Sequence, residues 1–164
     1  MSHIKHSNRS RHLRYGIGTA LGVSALAVGA LATAPVASAV TADTATISFE
    51  CGMFGSGSAT LTATHSGTTA SISLSTSAIT SPIDLAANSV KSTLTMTNHG
   101  TGAKTFTGKS NPAIPANSQV STGPLTGKVA AGDSLEAKTL KVVVLGVTAT
   151  CNATSTQSPG PFEF

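Results

Sequence analysis

The chain has 164 residues, a formal net charge of +4, one tyrosine and no tryptophan. Its excess base lies in residues 1–15, where Lys5, Arg9, Arg11 and Arg14 stand without an acid; residues 40–164 balance six lysines against six acids. Every arginine and Tyr15 also precede residue 16. The remainder thus lacks the side chains that read phosphates, stack on sugars and anchor interfaces, which argues against nucleic acid as a partner.

After the basic head come "GIGTALGVSALAVGALATA", apolar and small, and then "PVASAV". A basic head, an apolar helical middle and a small-x-small exit describe a secretory signal peptide over residues 1–39. Ala37-Ser38-Ala39 places cleavage between Ala39 and Val40, with a site after Ala42 as the alternative. About 20 apolar residues can cross a bilayer, but the glycines and Pro35 disfavour a permanent anchor, and no stable membrane span is expected after cleavage. Residues 40–164 are expected to form one domain, with a core over about 44–151 and a tail over 152–164. A chain of about 125 residues can bury roughly two thirds of its unfolded surface.

From residue 44 the pattern alternates. In "TATISFEC", Ala45, Ile47, Phe49 and Cys51 share one parity; in "SATLTAT", Ala59, Leu61 and Ala63 do the same. "ASISLST" adds Ile72 and Leu74, and "VKSTLTMT" adds Val90, Leu94 and Met96. Period two with one apolar face predicts strands on a common core, with threonine suited to the exposed face. "HSGTT" (65–69) and "NHGTG" (98–102) read as hairpin turns, and "SPIDLAANS" (81–89) as a longer link with room for one helical turn. "GKSNPAIPANS" (108–118) reads as an extended loop. Short strands are expected near Lys104–Thr107, Pro124–Val129 and Ser134–Ala137, and a last strand over 139–151. No long stretch carries a helical apolar period, and the expected fold is all-β: an antiparallel immunoglobulin-like β-sandwich of about seven to eight strands.

The last strand is apolar on both parities. Val143, Leu145, Val147, Ala149 and Cys151 occupy the face expected to point inward, while Leu140, Val142 and Val144 load the other. The expectation is a stripe covered by a loop or by the tail, or else a contact surface for self-association or a partner, with a bulge at Gly146 as one way to reverse the parity.

Cys51 and Cys151 are the only cysteines, and export into an oxidising space predicts a disulfide joining the first strand to the last. A loop of this length gives about 4–5 kcal/mol on the chain-entropy model. Two distant thiols do not make a metal site, and neither a metal nor another cofactor is expected. His65 and His99 fall in turns with no nucleophile-elbow pattern around a serine, and nothing places Asp84, Asp133 and Glu136 together. No catalytic residue is assigned. The Thr-x-Thr runs lack the constant repeat that an ice-binding array needs, and "NAT" (152–154) fits a short glycosylation pattern.

With "ISFEC", the threonine-rich hairpins, "LKVVVLGVTATC" and "PGPF" laid out, the chain resembles small secreted proteins of high-GC actinobacteria that have an immunoglobulin-like β-sandwich and no known activity. The likeness spans residues 48–164 and rests on Cys51, Cys151 and the strand rhythm. By size and class the chain is also similar to actinobacterial apoproteins that hold an enediyne chromophore, although those usually carry two short-range disulfides. Together these readings lead us to expect a secreted, non-enzymatic protein of the bacterial envelope or medium. It would act by protein contact or by binding a small ligand at the cell surface. The alternative is a secreted protease inhibitor presenting loop 108–118 around Lys109.

Overall fold

The computed structural model describes Val40, residues 43–99 and residues 102–164. The expected signal peptide, including Ala39, lies outside them. The strands are β1 (Thr44–Glu50), β2 (Ser56–Ser66), β3 (Thr69–Thr80), β4 (Lys91–Asn98), β5 (Gly102–Gly108), β6 (Gln119–Lys128), β7 (Ser134–Val144), β8 (Val147–Ala153) and β9 (Phe162–Glu163). A single 3₁₀ turn, Gly52–Phe54, joins β1 to β2. Residues 81–89 hold no helical turn; they are bends and turns tied to the next long loop by a Leu85–Ile114 bridge.

The alternation in the sequence is realised directly. Ala45, Ile47 and Phe49 on β1, Leu61 and Ala63 on β2 and Ile72 and Leu74 on β3 are buried, and the threonines between them face out. All the long ladders are antiparallel.

The expected sandwich is corrected. Hydrogen bonding runs β4-β5-β6-β3-β2-β1-β8-β7, and β7 then pairs with β4 from Lys91–Val143 to Asn98–Leu135. Eight strands therefore close into a barrel, with β9 added beside β8 on β7. One apolar face per strand is compatible with two stacked sheets or with one closed sheet; which edges pair decides between them. Two seams remain narrow. β1 and β8 share two register pairs, Phe49–Ala153 and Glu50–Asn152, while β5 and β6 share one, Thr107–Thr126. At the second seam the backbones come close: a Cβ on Gly127 would lie 2.6 Å from the Phe106 ring and 2.8 Å from the Thr105 carbonyl oxygen. Only glycine fits there.

The expected last strand over 139–151 is also corrected: it is a hairpin. Leu145 (φ 48°) and Gly146 (φ 82°) form a two-residue turn between Val144 and its partner Val147. Lys138 is an extra residue in β7, between the Thr95–Thr139 and Met96–Ala137 pairs, and it reverses the facing. Below it Leu135 and Ala137 point inward; above it Leu140, Val142 and Val144 do. The two apolar parities thus belong to two neighbouring strands that face one interior.

The antiparallel registers define two ends. Residues 51–55, 81–90, 109–118 and 145–146 lie at one, the mouth. Residues 67–68, 129–133 and the tail lie at the other, the floor. The floor is filled: Phe106, Phe162, Leu135, Met96 and Leu125 are fully buried. The "SPGPFEF" tail supplies Phe162, and the Phe164 ring packs edge-on against His65 at 5.6 Å. Val40 joins this same core cluster.

Candidate functional site: an apolar cavity under the mouth

Above the packed floor the barrel holds a cavity of about 410 Å³. Ile47, Phe49 and Leu74 line one wall, and Leu94, Leu140 and Val142 the facing one. Lys138, exposed on its bulge, is the only charged residue among the lining residues. The buried hydroxyls of Ser92 and Thr122 bond each other at 2.7 Å, so this polar spot is internally satisfied.

Two loops and a cross-link frame the opening. Loop 81–90 and loop 109–118 pack through Leu85, Val90 and Ile114, against Val142 and Val144. Asn111 holds them together: its side-chain oxygen accepts from the Val90 N–H at 2.9 Å, and its amide donates to the carbonyl oxygens of Ala86 and Pro112. The Asp84 carboxylate accepts the Ala116 N–H at 2.8 Å. On the opposite side, Cys51 and Cys151 form a disulfide across a separation of 100 residues. The bond occupies the register position just beyond the two-pair β1–β8 seam, and both cysteines line the cavity.

The structure places the remaining sequence candidates as follows. Leu140, Val142 and Val144 line the cavity and are no outward stripe. Lys109 is exposed at the start of the braced loop. His99 pairs with Glu136 at 3.2 Å near the floor, far along the strands from Asp84 at the mouth. Asp133 takes part in a floor clasp: it accepts from Asn98 at 2.6 Å and from the Ala130 N–H at 2.8 Å, and pairs with Lys104 at 2.9 Å. Burial alone would raise this carboxyl, but the bonds from Lys104, Ala130 and Asn98 outweigh it and hold Asp133 below its ordinary value. These acids brace turns. Among the described residues no three His, Cys, Asp or Glu side chains gather where they could hold a metal ion, and no helix is long and apolar enough to cross a membrane.

Several lining residues escaped the sequence reading. Ile79 and Leu85 on the lining, and Ile114 packed with Leu85 in the loop pair, lie outside or at the ends of the alternating runs, so no periodic signal marks them. Phe54 lies in the 3₁₀ turn and looks like loop residue from sequence alone.

No protein-family model matches the chain, and no curated protein or solved structure matches it.

Proposed function

We propose that the protein is a non-enzymatic binder of an apolar small molecule, held inside the barrel beneath the mouth loops and working after export in the envelope or the medium. The cavity carries this reading. An eight-stranded barrel has an interior just wide enough to be filled by its own side chains or to hold one small ligand. Here the lower half follows the first course and the upper half the second. The volume of about 410 Å³ lies in the range of small-ligand sites. An apolar guest would remove the lining from water, a gain of about 25 cal/mol for each Å² buried. The braced loops keep the opening formed without it, which limits the ordering cost on binding.

The test is uptake of an uncharged phenylnaphthylamine dye, followed by fluorescence and by displacement with long-chain alcohols. Saturable enhancement is expected, and Leu140→Arg, which puts a charge on the lining, is expected to abolish it. Enhancement that is unchanged in Leu140→Arg, in a variant whose circular dichroism matches the parent, would refute the proposal.

A further inference from the structure

Among the described residues the large apolar side chains that stay exposed are Met53, Phe54, Ile83, Leu145 and Val147, at 92, 39, 47, 79 and 57%. All five stand at the mouth, on the 3₁₀ turn, loop 81–90 and the tip of the β7–β8 hairpin. Leu145 is held at φ 48°, a region that bulky residues avoid, and its side chain is displayed rather than packed. Scattered exposed apolar residues need no explanation, whereas five gathered around one opening do.

The charge is divided in the same sense. Lys91 and Lys141 lie diagonally on the outer face of β4 and β7 just below the rim, and Lys109 follows Gly108, the partner of Ser92. Among the described residues these three lysines make no ion pair, and the ion pair that does hold a lysine, Lys104–Asp133, is at the floor. Asp43, Asp133, Glu136 and Glu163 also belong to the floor end. Near the mouth there are only Glu50 and Asp84, the latter engaged by the Ala116 N–H.

We propose that the mouth docks on a lipid bilayer bearing acidic headgroups, with the apolar tips inserted at the headgroup boundary and the three lysines facing the phosphates. Apolar tips with basic residues behind them are how a protein lies on such a surface without spanning it. The inference deepens the cavity reading and rests on it, because a docked mouth would open the cavity onto the acyl chains, the source of an apolar guest.

Co-sedimentation with phosphatidylcholine vesicles, with and without an equal part of phosphatidylglycerol, tests it. The protein is expected to bind the mixed vesicles and to release as salt rises toward about 1 M, where screening shortens to about 3 Å. Met53→Asp is expected to weaken binding by about tenfold or more. Lys91→Gln with Lys141→Gln is expected to weaken it by roughly fivefold per lysine on mixed vesicles only. Met53, Lys91 and Lys141 do not line the cavity, so dye uptake in solution should be unchanged in these variants; docking can thus fail while the cavity reading stands, and the dye and vesicle measurements tell the two failures apart. Equal binding by the parent and Met53→Asp would overturn the proposal. So would a mass that doubles with concentration, is abolished by Met53→Asp and is accompanied by no vesicle binding, since the rim would then belong to a second copy of the chain.

Discussion

The floor and the mouth are built from the same eight strands and differ in what fills the space between them. At the floor, Phe106, Phe162, Leu135 and Met96 meet with no accessible surface, and hydrogen bonds from Asn98, Ala130 and Lys104 converge on Asp133. At the mouth, valines and leucines of similar character line a void, and large apolar side chains stand in solvent. Composition alone does not separate the two ends. The tail does: Phe162 returns to plug one end, and among the described residues no comparable side chain returns to the other.

The comparison can be broken at the cross-link first. Replacing Cys51 and Cys151 together by alanine should cost about 4–5 kcal/mol for a closed loop of 100 residues, read from urea unfolding. A loss below about 1 kcal/mol would mean that the two-pair seam holds the mouth unaided. Truncation sharpens the contrast directly. Phe162→Ala at the floor should cost about 3–5 kcal/mol, whereas Val142→Ala, which enlarges a space already open, should cost less than about 1 kcal/mol. Equal losses would show that the mouth is packed as tightly as the floor. Smaller than the Phe162 loss, and opposite in sign, is the effect of Leu145→Asn. Asparagine tolerates the left-handed backbone at that turn, so the melting temperature should rise by an amount equivalent to about 1 kcal/mol.

The smallest effect concerns acid. A carboxyl held below its ordinary value stabilises the fold fully above the unfolded value, and that contribution drains away as pH falls through the lower, folded one. Asp133 is such a group. Unfolding midpoints of the parent should therefore decline as pH drops below about 4, and Asp133→Asn should flatten that decline while lowering stability at neutral pH.

Much of this molecule was legible in its residues. The alternating runs of β1 to β4 follow from periodicity, and the pairing of the only two cysteines was expected on the premise of an oxidising compartment. Closure was not legible, because the β4–β7 ladder that makes the barrel joins strands about 45 residues apart and leaves no local mark. The hairpin at Leu145-Gly146 was hidden by its own chemistry: asparagine or aspartate before glycine would have announced the turn, and leucine does not. That turn also shifts parity between β7 and β8, which period counting over 139–151 reads as one strand apolar on both sides. The cavity follows from these unread features together, since without the bulge at Lys138 Leu140, Val142 and Val144 would point outward.

The position of the domain's own ends has a practical side. β1 starts from the floor, and Phe164 accepts the Gly132 N–H there as well. A tag, a surface linkage or a reporter attached at Phe164 therefore sits at the far end of the barrel from the opening. Immobilised through such a handle, the protein would present its opening outward, ready for capture measurements with no redesign.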